Sequence, residues 1–241
     1  MKKNTTGKWI MISLTILLST LTINSLKAIE TKTHFRTYYF VSHTLSPKWK
    51  YSGALGYHFE PNNHHWNRIE VRNAIDFRPN NTITIFGGAR CNYVRKYKKN
   101  YQFEFRPYQG ISAKWPCINH IKLVNRFMIE ERFTHDFTGE NNLLTQGRFR
   151  YRLDTKIPIS DNTLDSQTLY LRPMFETYLS FGENIEAAFI SQNKYTVAPG
   201  YILSNKFTLE FRYEIIKGKS PVYHTTNKTT NLFRLQLTQK I

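Results

Sequence analysis

Several side chains in this sequence are of the types that catalysis or metal binding requires. Ser42-His43 offers a hydroxyl beside an imidazole, His135-Asp136 an imidazole beside a carboxylate, and His58, His64 and His65 a group of ring nitrogens. A hydrolase needs its nucleophile and base within hydrogen-bond reach, with a third group to orient the base. Neighbours in an extended strand point to opposite faces, so Ser42 and His43 would not meet. His64-His65 reads as part of a loop and His135-Asp136 as a loop edge, neither with a partner at a motif spacing. The histidine group lacks the cysteine or carboxylate ligands that a zinc site combines with it. Glu104, Glu130 and Glu176 could share glycosidase chemistry, but each has arginines nearby that suit a structural pairing. These patterns assign no catalytic residue, no metal and no cofactor, and a lipid-active hydrolase is only a distant alternative.

The arginines themselves follow a rule. In Leu143 to Ile157 the odd positions read Leu143, Thr145, Gly147, Phe149, Tyr151, Leu153, Thr155 and Ile157, while the even ones include Arg148, Arg150, Arg152, Asp154 and Lys156. Phe207, Leu209, Phe211, Tyr213 and Ile215 alternate with Glu210, Arg212 and Glu214, and Phe233, Leu235 and Leu237 with Arg234, Gln236 and Thr238. A period of two with one apolar and one charged face is the mark of a β-strand. The charged face collects Arg68, Glu70, Arg72, Glu104, Arg106, Lys122, Arg126, Glu130, Arg132, Arg148, Arg150, Arg152, Asp154, Lys156, Arg172, Glu176, Glu210, Arg212, Glu214, Arg234 and Lys240. Cations outnumber acids on it by seven.

The elements that must carry this face run along the rest of the chain: Phe35 to Val41, Trp49 to Phe59, Trp66 to Phe77, Thr82 to Tyr93, Tyr101 to Ala113, Ile121 to Phe133, Leu169 to Phe181 and Tyr195 to Leu203. Pro61-Asn62-Asn63, Pro79-Asn80-Asn81 and Ser204-Asn205 are among the turns between them. Soluble strands average about 5–6 residues, whereas a strand crossing an outer membrane needs about 9–11; most of these are of the second kind. Trp49, Tyr57, Phe59, Trp66, Phe77, Tyr101, Phe103, Phe133 and Phe181 fall near segment ends on the apolar side, as girdles at two lipid interfaces would. The expected fold is an all-β, antiparallel transmembrane barrel. These segments number eleven, and a single-chain bacterial barrel normally has an even strand number. A further strand at Ile185 to Ser191, separated from Tyr195 by Gln192-Asn193-Lys194, is expected to complete twelve. If it is a loop, the alternatives are ten strands with Phe35 to Val41 outside the barrel, or an unusual odd barrel.

Slipping the Leu143 to Ile157 strand by one residue would aim Arg148, Arg150 and Arg152 at lipid, at about 2–4 kcal/mol each near the midplane. The charges therefore hold the register. Asn73, Asn125 and Glu131 break the pattern on the apolar face, and Phe40, Phe86, Val124 and Met128 on the charged one. Glu131 is close to a strand end, and a bulge is expected to re-aim Asn73 and Asn125.

Length and composition bound the rest. The chain has 241 residues, 40% apolar and 15% aromatic, with a net charge of +17 and two cysteines. This suits one domain with a real core and no disulfide scaffold. Lys2, Lys3 and Lys8 precede an apolar run from Trp9 to Ile23, followed by small and polar residues up to Ala28, the order of a secretory signal peptide. The run is shorter than the roughly 20 residues of a membrane-spanning helix. Residues 1–28 are thus the expected signal and residues 29–241 the barrel. Cleavage removes four lysines and leaves +13. Export to the outer membrane excludes a nucleic-acid partner despite the basic charge. Arg95-Lys96-Tyr97-Lys98-Lys99 becomes a solvated hairpin tip or a contact for anionic lipopolysaccharide, and Cys91 and Cys117, placed at opposite barrel ends, are expected to stay unlinked.

Several spaced motifs together carry a family likeness. They are Phe105-Arg106-Pro107-Tyr108-Gln109-Gly110-Ile111, Lys114-Trp115-Pro116, the run from Val124 to Arg132, Arg148 to Arg152 with Ile157-Pro158, Leu171-Arg172-Pro173 with Glu176, Gln192-Asn193, Gly200-Tyr201 and Tyr213. In this order they resemble the domain of unknown function 2490 family across nearly all of the chain after the signal. Lys194 stands where that pattern suggests arginine. The resemblance implies an exported bacterial protein with an outer-membrane-type barrel, and no activity, substrate or catalytic set. The expected protein is a monomer among outer-membrane lipid and lipopolysaccharide, inserted by the barrel-assembly machinery. Its Arg/Glu lumen is structural, or else forms an anion-preferring channel or binding barrel for acidic solutes.

Overall fold

The computed structural model describes residues 31–61, 63–96, 101–116, 121–137, 143–161, 163–182, 189–219 and 227–241, with backbone alone at 63–65, 143, 144, 189, 190, 219, 227 and 228. Eleven strands occupy these residues: β1 (Thr31–Thr44), β2 (Trp49–Glu60), β3 (Asn63–Phe77), β4 (Ile83–Arg95), β5 (Tyr101–Lys114), β6 (Lys122–Asp136), β7 (Leu143–Pro158), β8 (Leu169–Phe181), β9 (Phe189–Ile202), β10 (Phe207–Lys219) and β11 (Asn227–Lys240). The boundaries predicted from alternation for residues 49–181 differ from these by a few residues at most. No helix among the described residues is long and apolar enough to cross a membrane, which does not bear on strands.

Each strand pairs antiparallel with its neighbours in the chain, and β1 pairs with β11 to close a barrel. The closing pair is parallel, from Thr31 opposite Thr229 to Ser42 opposite Lys240. This corrects two expectations, the twelfth strand and the wholly antiparallel sheet. When strands alternate in direction, an odd count leaves the first and last pointing the same way, so the seam of eleven strands must be parallel. The expected separator Gln192-Asn193-Lys194 pairs continuously with Lys217 and its neighbours inside β9. Residues 189–191 of the spare segment are simply the start of that strand, and 185–188 lie outside the described residues. His64 and His65, expected in a loop, have their backbone in β3.

Following paired residues round the wall from Thr31 returns to β1 at the level of Leu45, a shear of about 14 residues. Strands in a barrel of this kind tilt by about 35–45°. Along nearly the whole wall the even-numbered residues point inward and the odd-numbered outward. Leu55 is 56% exposed and Phe127 54%, whereas Glu130 is 1% and Glu214 0% exposed. The apolar side is the outside and the charged side is the core.

The outer wall carries aromatic pairs towards both ends. Phe35 stacks on Phe59 at 5.5 Å and on Phe233 at 5.3 Å near one rim, and Trp49 meets Phe77 at 4.7 Å near the other. Trp66 departs from the expected girdle: it shares the inward register of Arg68 and packs edge-on to His34 at 5.1 Å. The two exceptional asparagines are not re-aimed by bulges. The register breaks lie elsewhere, at Phe59/Glu60 and Tyr178/Leu179. Asn73 and Asn125 stay on the outer wall, where Tyr51 and Tyr151 each donate a hydrogen bond of 2.6 Å to the amide oxygen. Tyr213 does the same for Asn231 at 3.0 Å. A tyrosine at a neighbouring outward position thus satisfies the amide oxygen on an otherwise apolar wall. Glu131 remains exposed on the outside, opposite Gly147.

Candidate functional site: the charged interior

Strand alternation delivers an acid or a base to the interior every second residue, and cross-strand neighbours then lie close enough to pair. Of the twenty-one residues expected on the charged face, all but Lys122 and Lys240 point into the barrel. On β5, Glu104 accepts from Arg106 on its own strand (Nη2 at 2.6 Å) and from Arg132 of β6 (Nε at 2.7 Å). Glu130 of β6 is held by Arg148 of β7 through Nε at 2.5 Å and also through Nη2. Glu176 of β8 gathers Arg150, Lys194, Arg152 at 3.7 Å and the Tyr178 hydroxyl at 2.7 Å. Arg172 bridges Asp154 at 3.1 Å and Glu210 at 3.3 Å. Glu210 also accepts from Arg212 at 2.5 Å and from the Tyr170 hydroxyl at 2.6 Å. Glu214 faces Arg234 at 3.0 Å, and Glu70 faces Arg72 at 2.7 Å.

Two expected members are placed differently from the rest. The Arg68 guanidinium donates to the His58 ring, Nε to Nδ1 at 3.1 Å, and has no carboxylate within ion-pair distance among the described residues. Its partner His58 is fully buried, with the Tyr38 hydroxyl at 2.7 Å from Nε2. Arg126 lies over the Phe86 ring with its guanidinium carbon 3.7 Å from the centroid, and it too has no ion pair among the described residues. Lys122 and Lys240 are exposed at the ends of their strands rather than inside.

Three cations escaped the sequence reading. Arg90 meets Glu70 at 3.4 Å, Lys194 joins Glu176, and Arg36 points inward with a buried Nε that has no hydrogen-bond partner. Their even positions in β4, β9 and β1 were the available signal. It was diluted there because Phe40, Phe86, Gly88, Val94 and Ala198 share the inward face.

The other candidate chemistry resolves simply. Ser42 is buried inward, while His43 is exposed with Nδ1 3.1 Å from the Ile241 carbonyl, so the two do not meet. Asp136 is held by Lys96 at 3.0 Å. Residues 97–99 of the basic tip lie outside the described residues. Among the described residues no three His, Cys, Asp or Glu side chains converge on a point. Cys91 is a half-exposed free thiol on the outer wall, and Cys117 lies outside the described residues.

Fold and interior together define a class: a closed β-barrel with apolar side chains outside and a paired arginine–glutamate core within. The chain belongs to the family described as protein of unknown function (DUF2490), whose family model matches residues 34–225. No curated protein and no solved structure matches it.

Proposed function

We propose that this chain is a small outer-membrane β-barrel protein whose interior is filled rather than open. The observation that carries this reading is the inversion of burial, with apolar side chains exposed round the wall and six glutamates at 5% exposure or less within. In water such a surface would be an aggregation hazard, whereas against hydrocarbon it is the required one. Height agrees. A 13-residue strand such as β4, rising about 3.3 Å per residue and tilted by about 40°, climbs about 33 Å. The lipid-facing band of such a barrel is about 25 Å tall. In this reading residues 1–28 are the cleaved signal, the barrel-assembly machinery inserts the barrel as a monomer, and outer-membrane lipid and lipopolysaccharide surround it.

Leu55→Arg on the outer wall tests the lipid contact. Refolded into vesicles, the variant is expected to lose about 2–4 kcal/mol against urea. A wall that faces water would tolerate the change within about 0.5 kcal/mol, and that result would overturn the membrane reading.

A filled interior also predicts silence in planar bilayers. Neither the wild type nor Arg150→Glu should give current steps above background. Arg36 and Arg126, inward arginines with neither a carboxylate nor a histidine partner among the described residues, favour an anion-preferring conduit as the second reading. Anion-selective steps that Arg150→Glu abolishes would establish it in place of the first.

A further inference from the structure

The interior is not filled uniformly. Towards the end where β1 turns into β2, inward positions of β2 and β3 become small: Ser52 lies opposite Ala74, and Ala54 opposite Arg72. The space they leave is a cavity of about 140 Å³, lined by Phe40, Ser52, Ala54, Arg72, Asp76, Tyr108 and Arg126 among others. Its apolar lining is Phe40, Ala54, Ala74 and the Tyr108 ring, and Ala74 and Tyr108 also belong to a buried apolar cluster with Phe86 and Met128.

The charges on this cavity are unequally committed. Arg72 is engaged by Glu70 at 2.7 Å. Arg126 has no carboxylate within ion-pair distance among the described residues, and its guanidinium carbon lies 3.7 Å from the Phe86 ring centroid. A guanidinium without a carboxylate partner keeps N–H donors available, and its fork matches a carboxylate in two parallel hydrogen bonds. Asp76, opposite Lys50 across the β2–β3 pair, lines the same cavity with no ion pair within 4 Å among the described residues, and its charge would oppose a second anionic group there.

We propose that this cavity is a binding site for a small organic monocarboxylate, with the Arg126 edge taking the carboxylate and Phe40, Tyr108 and the alanines taking an apolar body. The proposal rests on the filled interior described under the proposed function and not on the bilayer. Drug-sized sites have about 300–1,000 Å³, so the cavity admits only a fragment-sized ligand. Bare phosphate would leave the apolar lining uncovered, and a dicarboxylate would meet Asp76.

Calorimetric titration of the full chain folded in detergent micelles tests this with benzoate and inorganic phosphate as probes. Benzoate should bind saturably at one site per barrel, and phosphate should not. Arg126→Met should weaken benzoate binding by about tenfold or more, as the loss of a charged bidentate contact would. Asp76→Asn, which removes the repelling charge, should strengthen it several-fold. If Arg126→Met does not fold, Arg126→Lys keeps the charge without the fork and should still weaken binding. No saturable benzoate binding by the folded wild type, equal affinity in the Arg126 variants, or a preference for phosphate would each overturn the proposal. None of these results depends on the vesicle or conductance measurements, which test membrane insertion separately.

Discussion

Glu176→Gln is expected to destabilise the barrel by about 3–5 kcal/mol, the usual cost of breaking a buried ion pair from one side. Glu176 is 2% exposed and stands against Arg150, Lys194 and Arg152. The loss falls unequally on these three. Arg152 keeps Asp154 at 3.1 Å and Lys194 keeps Glu214 at 3.6 Å, but Arg150 has no other carboxylate within ion-pair distance among the described residues. Glutamine can still accept from Tyr178 and retains the volume, so the cost isolates charge from packing. Asp136→Asn provides the contrast: its pair with Lys96 is more than a third exposed on both sides, and an exposed pair contributes at most about 1 kcal/mol. Urea midpoints of the two variants, refolded side by side, measure the difference. Adding Arg150→Met to Glu176→Gln should recover part of the stability by removing the stranded charge. Equal midpoints for Glu176→Gln and Asp136→Asn would mean that water reaches the interior and that the barrel is open.

The same ion pairs explain why so much of this fold was legible in one sequence. Arg148, Arg150 and Arg152 alternate with Phe149 and Tyr151, and a one-residue slip would exchange the two sets. Periodicity in β7 therefore specified strand, register and face at once. The glutamates were legible for the same reason, since an inward acid among inward arginines must find a partner on the next strand. Closure was not legible. Nothing in the alternation of Phe35 to Val41 or Phe233 to Lys240 says that these strands meet in parallel, because a parallel and an antiparallel seam need the same two faces. The general preference for even counts then pointed to a twelfth strand where β9 merely begins early. Arg36, Arg90 and Lys194 were hidden by apolar inward neighbours, and the satisfied asparagines by partners a strand away: Tyr51 and Asn73 are 22 residues apart.

Gly200→Val is expected to cost about 3 kcal/mol or more, a large effect for adding three carbons to a strand. Gly200 lies between Tyr170 of β8 and Glu210 of β10, paired with each across the wall. The Tyr170 ring arches over it to reach Glu210 with a hydrogen bond of 2.6 Å, and Lys156 sits over the ring at 4.5 Å. A Cβ on Gly200 would stand 2.4 Å from the Tyr170 ring, and Tyr170, fully buried, has nowhere to go. Overpacking alone costs about 1–3 kcal/mol. Losing a hydrogen bond to a buried charged group adds about 1.5–3 kcal/mol. Tyr108 leans over Gly88 to the Asn73 carbonyl on β3 at 3.3 Å, and Phe86 over Gly110 to Arg126 on β6. Glycine in these strands gives an aromatic side chain passage to the second strand away, so the interior is tied together beyond nearest neighbours. A double-mutant cycle separates this from a weak strand propensity: in a Tyr170→Ala background, Gly200→Val should cost less than about 1 kcal/mol, the range of intrinsic strand preference. An undiminished cost in that background would show that Tyr170 does not depend on the space above Gly200.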